Sequence, residues 1–173
     1  MNISTIASSE RRMIVGLGVT GRSVARWWLA RGIPFSIFDA REPIANEVDF
    51  LSGVTGVALH FGDADFQIIE GVTEMIVSPG VPLSHPLVAH AKASGCRIRG
   101  DIDLFMEACS VPVIGITGSN GKSTVTAMLG EMIAACGANV AIGGNFGRPA
   151  LDLLSDKAEF YVLELSSFQL ERA

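Results

Sequence analysis

Arg12-Met13-Ile14-Val15-Gly16-Leu17-Gly18-Val19-Thr20-Gly21 decides how the first half of the chain folds. Arg12 to Val15 has strand character, the glycines follow at the spacing G-x-G-x-x-G, and a helical pattern stands around Val24 to Ala30. Such glycines permit a tight turn, let the backbone approach a ligand and let the helix pack closely on the strand, while the helix N-terminus favours an anion. Working outward, β-rich segments recur at Pro34 to Phe38, Val57 to His60 and Glu74 to Val77, with another helical pattern at Leu87 to Ala93. This alternation predicts a parallel sheet with helices on both faces, a Rossmann-like arrangement. Asp39 ends the second strand, where that pattern places a carboxylate able to accept hydrogen bonds from a ribose or a base. These residues alone are compatible with a dinucleotide cofactor such as NAD, with a different nucleotide, or with a tight strand-to-helix turn and no ligand.

Local punctuation supports the helices. Ser84 reads as an N-cap, with Pro86 in the first turn and Gly95 just past the end. Asp101, after Gly100, reads as the N-cap of a helix from Ile102 to Cys109. Trp27 and Trp28 fall in a helical pattern and read as packing residues. Ser110-Val111-Pro112 interrupts the alternation, which places one domain over residues 1–109 and a second over 112–173. The second opens with a strand at Val113 to Thr117, a glycine loop and a helix to about Ala135. A strand at Asn139 to Ile142, the loop Gly143-Gly144-Asn145-Phe146-Gly147, a short helix at Ala150 to Leu154 and a strand at Glu159 to Leu165 follow. The fold class is therefore α/β, a Rossmann-like parallel-sheet domain followed by a P-loop-type α/β domain that reads as incomplete, since three strands make only part of a doubly wound sheet.

Thr117-Gly118-Ser119-Asn120-Gly121-Lys122-Ser123-Thr124 carries the second motif. Ile116 stands where the first glycine of G-x-x-x-x-G-K-[ST] belongs, but the mechanistic part is kept: a glycine turn out of a strand, a lysine that reaches β- and γ-phosphates, and a hydroxyl placed for Mg²⁺. Glu164 lies in the apolar run Phe160-Tyr161-Val162-Leu163-Glu164-Leu165. A carboxylate there needs a cation or hydrogen-bond donors. Mg²⁺ at the phosphate-loop edge of the sheet explains both Ser123 and Glu164, and pairing with Lys or Arg, or an exposed strand edge, is the alternative.

Composition narrows the function. With 49% apolar and 18% charged residues the chain is globular, and a net charge of −5 argues against nucleic-acid or anionic-membrane binding. Cys96, Cys109 and Cys136 lack disulfide or zinc spacing, and His60, His85 and His90 lack metal-binding spacing. No apolar run approaches the length of a membrane span, so a cytoplasmic protein is expected.

Taken together, Gly16 to Gly21, Ser78-Pro79-Gly80, Gly118 to Thr124, Gly143-Gly144-Asn145 and Leu163-Glu164-Leu165-Ser166-Ser167-Phe168-Gln169-Leu170 resemble the Mur ligase family. Ser119-Asn120 with the Ser-Ser-Phe-Gln-Leu run is similar to its D-glutamate-adding members. The resemblance implies that Val19, Thr20 and Asp39 hold the uridine end of UDP-N-acetylmuramoyl-L-alanine, with Gly80 and Asn145 near its diphosphate and sugar. Ala40 stands where members often carry a hydroxyl residue, so that contact is not implied. It implies ATP on Gly118, Ser119, Asn120, Gly121, Lys122, Ser123 and Thr124, Mg²⁺ on Ser123 and Glu164, and catalytic roles for Lys122 and Glu164. The implied reaction phosphorylates the alanyl carboxylate and lets the amine of D-glutamate attack the acyl phosphate. A monomeric full-length enzyme is implied, and its second-metal ligands and closing C-terminal domain are expected beyond Ala173, leaving this chain inactive alone. A non-catalytic nucleotide-binding fragment and an NAD-dependent oxidoreductase are the alternatives.

Overall fold

The computed structural model describes residues 10–42, 48–52, 54–155 and 157–172. Five parallel strands, β1 (Arg11–Val15), β2 (Ser36–Asp39), β3 (Ala58–Phe61), β4 (Val72–Val77) and β5 (Arg97–Arg99), form one sheet in the order β3-β2-β1-β4-β5. Helix α1 (Val19–Leu29) connects β1 to β2, α2 (Pro86–Ala93) connects β4 to β5, and α3 (Asp101–Ala108) follows β5. Short 3₁₀ turns at Asp49–Leu51 and Phe66–Ile69 complete this half. The chain leaves β1 towards β2 on one side while β4 lies on the other, so the strand order reverses beside β1 and opens a crevice at the strand ends. A second parallel sheet, order β6-β8-β7, contains β6 (Val113–Ile116), β7 (Val140–Gly144) and β8 (Phe160–Glu164). Helix α4 (Lys122–Ala135) connects β6 to β7, α5 (Ala150–Leu153) precedes β8, and α6 (Ser167–Leu170) follows it.

The first sheet buries both faces, as continuous apolar strands require. Met13, Val15, Phe38, Met75 and Val77 meet Leu87, Val88 and Ala91 of α2 on one side. Ile14, Ile37 and Ile76 meet Val24 and Trp28 of α1 on the other, and this cluster runs on into Ala150, Leu151, Leu153, Tyr161 and Leu163 of the second half. Phe105 of α3 meets Tyr161 of β8 edge-to-face at 5.0 Å. The two sheets are thus joined by one shared apolar core, with α1, α3 and α5 between them.

The sequence reading missed β5 because Arg97-Ile98-Arg99 lacks an apolar run. Its arginines are satisfied by Glu74 of β4: Arg97 Nη2 and Arg99 Nη1 donate to Oε1 at 2.7 and 3.0 Å, and Arg12 Nε of β1 donates to Oε2 at 2.9 Å. Glu74 is buried. Burial pushes its carboxyl up, but hydrogen bonds from Arg99 and Arg12 and the charges of Arg97 and Arg99 more than offset this and hold it below 4.5. A depressed folded-state value contributes stability that is present above the unfolded value and lost as pH falls through the folded one. Glu74→Ala, which leaves Arg99 without this buried partner, is expected to cost about 3 kcal/mol at pH 7. Urea unfolding of both proteins should show the gap narrowing below pH 4.5, where wild type loses the same interaction.

Two caps differ from expectation. His85, not Ser84, caps α2, its Nδ1 accepting from Leu87 N at 3.3 Å. Asp101 is the first residue of α3 rather than its cap; Gly100 takes that position and donates its N–H to Asp103 Oδ2 at 2.8 Å. Asp101 instead turns into the joint between the sheets and accepts from Gln169 Nε2 of α6 at 3.2 Å. Burial raises its pKa against that bond. The sequence carried no sign of this pairing, because its partners are 68 residues apart. Helix α6 was also missed; its signal is the capping box in which Ser166 Oγ accepts from Gln169 N and Ser166 N donates to Gln169 Oε1.

Candidate active site

Four segments converge on a cleft of about 540 Å³: the β1–α1 turn, the end of β2 with Arg41 just beyond it, the β4–α2 connection and the β7–α5 connection. All five residues expected to contact substrate, Val19, Thr20, Asp39, Gly80 and Asn145, line it. Val19 begins α1 and is 59% exposed, an apolar side chain left open where the helix starts. Gly21 lets α1 press against the turn, since a Cβ there would lie 1.9 Å from Gly16 O. Ser78 ties the second loop to the first, its Oγ donating to Gly16 O at 2.7 Å.

Asp39 ends β2 at the cleft rim and is already densely bonded. Oδ2 accepts from Leu17 N at 2.7 Å and Arg41 Nη2 at 3.0 Å, and Oδ1 accepts from Arg41 N and Nε at 2.9 and 3.2 Å. Burial pushes the carboxyl up, but the Arg41 and Leu17 bonds and the Arg41 charge hold it below its ordinary value. It is therefore an ionised acceptor. Arg41 lines the cleft as well, and the sequence reading missed it; its only signal was an arginine two residues after the strand-ending acid.

The phosphate loop leaves β6 with Gly118 at φ 142° and Gly121 at φ 74°, backbone conformations that favour glycine. Gly121 caps α4, so Lys122 and Ser123 occupy its first turn. Lys122 Nζ donates to Gly118 O at 2.8 Å, which arches the side chain over the loop. Glu164, expected beside this loop, ends β8 and is 3% exposed. Strand β8 lies between the other two, and the register puts Ile116, Glu164 and Gly144 in one row. One strand end thereby sits between the start of the phosphate loop and the start of the cleft-lining loop. Ser123 Oγ donates to Glu164 Oε2 at 2.5 Å and Asn145 Nδ2 donates to Oε1 at 2.9 Å. Burial raises the Glu164 carboxyl, but these two bonds and the Lys122 charge lower it further, so it is ionised. Its hydrogen-bond donors are neutral groups rather than the arginine or lysine of the alternative reading. Asn145 thus belongs to both places, lining the cleft and touching the carboxylate beside the phosphate loop.

A parallel sheet with a crevice at its reversal point, joined to a strand–glycine loop–helix unit, defines a nucleotide-binding class of α/β protein. A model of the Mur ligase MurD-like N-terminal domain matches residues 10–100, and one of the Mur ligase middle domain matches residues 116–173. The chain belongs to the Mur ligase family. It is 49% identical over 98% of its length to a UDP-N-acetylmuramoylalanine--D-glutamate ligase of Marinobacter nauticus, and 47% identical over 98% to one of Pseudomonas aeruginosa. It spans 38% of the length of each of these curated relatives. Among solved structures, a UDP-N-acetylmuramate:L-alanyl-gamma-D-glutamyl-meso-diaminopimelate ligase of Neisseria meningitides shares the fold at a TM-score of 0.55 and 17% identity, over 90% of this chain and 52% of that one. A murein peptide ligase of Psychrobacter arcticus does so at 0.53 and 17%, over 92% and 39%. No helix among the described residues is long and apolar enough to cross a membrane.

Proposed function

We propose that this chain is the nucleotide-handling portion of an ATP-dependent amide ligase of peptidoglycan precursor synthesis, which joins D-glutamate to UDP-N-acetylmuramoyl-L-alanine. The observation that carries the reading is the single row Ile116–Glu164–Gly144, which links the cleft to the phosphate loop through Asn145, Glu164 and Ser123. Residues 1–109 act as the UDP-substrate domain and residues 112–173 as part of the ATP-binding domain of a cytoplasmic, monomeric enzyme.

In this reading Val19, Thr20 and Asp39 receive the uridine end, while Gly80 and Asn145 face the diphosphate and sugar. Substrate stretched along the cleft brings its alanyl carboxylate towards the γ-phosphate of ATP seated on Gly118, Ser119, Asn120, Gly121, Lys122, Ser123 and Thr124. Ser123 Oγ and the Glu164 carboxylate are hard oxygen donors already in contact, and these two groups would hold Mg²⁺. Mg²⁺ held there would supply charge neutralisation at the transferring phosphoryl group. Lys122 exchanges its contact with Gly118 O for phosphate oxygen and stabilises the charge that spreads over the phosphoryl group. The alanyl carboxylate takes the γ-phosphoryl group and ADP leaves; the amine of D-glutamate then attacks the carbonyl carbon of the acyl phosphate, inorganic phosphate leaves, and the nitrogen loses a proton to give the amide. No side-chain nucleophile is needed.

Calorimetric titration of the chain with UDP-N-acetylmuramoyl-L-alanine and, separately, with NAD tests the cleft. The UDP ligand is expected to bind more tightly, and tighter binding of NAD would revive the oxidoreductase reading.

A further inference from the structure

Ser23 lies inside α1 and is 1% exposed, on the side of the helix that meets α5. A hydroxyl buried in an apolar contact needs a partner, and this one finds it on the other sheet's helix. Ser23 Oγ donates to Asp152 Oδ1 at 2.8 Å, and Arg26 Nη2 donates to Asp152 Oδ2 at 2.6 Å. Both carboxylate oxygens of Asp152 are thus held by α1. Arg148 Nη2 donates to the Asp152 carbonyl, which folds the β7–α5 connection back on α5.

The clamp sits directly behind the cleft. On α1, Val19, Ser23 and Arg26 follow at helical spacings of four and three, so the clamp's donors share a face with the residue that starts the first wall. On the other side, Asn145 and Pro149 line the second wall, and Asp152 lies in the only turn of α5 that follows them. The apolar core between the sheets resists separation but is non-directional, and packed helices can slide by shear without losing it. Two hydrogen bonds of fixed direction remove that freedom.

We propose that Asp152 is a positioning residue which sets the separation between the two walls of the cleft, and hence the register of the bound substrate against Glu164 and Ser123. The substrate part of this proposal rests on the reading of the cleft as a nucleoside-diphosphate site. The Asp152 side chain is in neither the cleft lining nor the phosphate loop, and its backbone N–H donates to Pro149 O of the second wall at 3.1 Å, so the carboxylate ties that wall to Val19 and Thr20 of the first through Ser23 and Arg26.

The test uses the full-length ligase. Asp152→Ala is expected to raise KM for the UDP-substrate about tenfold, the equivalent of ~1.4 kcal/mol, while KM for ATP stays within about twofold. Asp152→Asn keeps an acceptor for Ser23 and is expected to recover most of this. Ser23→Ala combined with Asp152→Ala should be no worse than Asp152→Ala alone, because both remove the same bond. A ligand-independent arm measures the distance between spin labels on Cys136, exposed beyond α4, and at exposed position 92 in Lys92→Cys, with Cys109→Ser. Cys96 stays unlabelled because it is buried, and burial with the Glu74 charge pushes its thiol up to about 11. The distance distribution is expected to broaden in Asp152→Ala without any ligand. An unchanged distribution would overturn the proposal, as would a parallel rise in both KM values with no rescue by Asn. Failure of the wild-type ligase to bind the UDP-substrate would sink the reading of the cleft, and the distance measurement would still decide the clamp.

Discussion

Lys122→Ala in the full-length ligase should lower kcat for acyl-phosphate formation by ~10²- to 10³-fold, the loss that follows removal of one preorganised donor from a developing charge. Lys122 begins α4, and its ammonium already lies over the loop, bonded to Gly118 O at 2.8 Å. Nothing rigid has to move for it to meet a phosphate. Lys122 does not line the cleft, and its ammonium bonds to Gly118 O and Ser119 O of its own loop, so affinity for the UDP-substrate should stay within about twofold, as independent sites behave. Equilibrium binding of the substrate and single-turnover phosphate transfer, measured on the same variant, separate these effects. Near-normal transfer would remove Lys122 from the mechanism. A matching loss of substrate affinity would instead mean that the phosphate loop and the cleft are one coupled unit.

Gly21→Ala should be the most damaging single methyl in the first half. The added Cβ would stand 1.9 Å from Gly16 O of the β1–α1 turn and 3.1 Å from Ser78 Oγ of the β4–α2 connection, both cleft-lining residues. Backbone cannot yield as a flexible side chain does, so α1 must lift. That movement strains the bond from Ser78 Oγ to Gly16 O and the bond from Leu17 N to Asp39. A loss of about 3 kcal/mol is expected, at the upper end for overpacking, together with loss of UDP-substrate binding. Gly18→Ala is the control, because a Cβ there meets nothing within 4 Å. Its stability should change by less than about 1 kcal/mol, and the methyl should act only on ligand affinity, through the cleft wall that Gly18 lines. Denaturant unfolding and titration of the two variants test this directly, and equal destabilisation by both would show that close helix approach is not what Gly21 provides.

Local chemistry made much of the site legible. Glycine spacing after a strand, a strand-ending acid and a Gly-Lys-Ser turn each declare themselves within a few residues, because turns, helix starts and anion sites depend on neighbours in sequence. The parallel sheets and the positions of Asp39 and Glu164 at strand ends followed from that alternation. Strand β5 escaped because two of its three residues are arginines satisfied by Glu74 on the adjacent strand, a pairing over 23 and 25 residues that no window of sequence contains. Asp101 was read as a local cap because an acid after glycine usually is one, yet tertiary contact with Gln169 turned it inward.

The sequence by itself determined the two glycine turns, their order and the acidic and hydroxyl side chains that stand at the strand ends and helix start beside them, since these are properties of short segments. Only the tertiary structure decided that they lie side by side. Strand β8 enters between β6 and β7, and this register alone puts Glu164 between Ser123 and Asn145. Helices α1 and α5 meet in a shared apolar core, and this alone lets Ser23 and Arg26 hold Asp152 across more than a hundred residues of chain. Insertion of a strand and docking of helices depend on which apolar surfaces cover one another, a property of the whole packed core that no local pattern encodes.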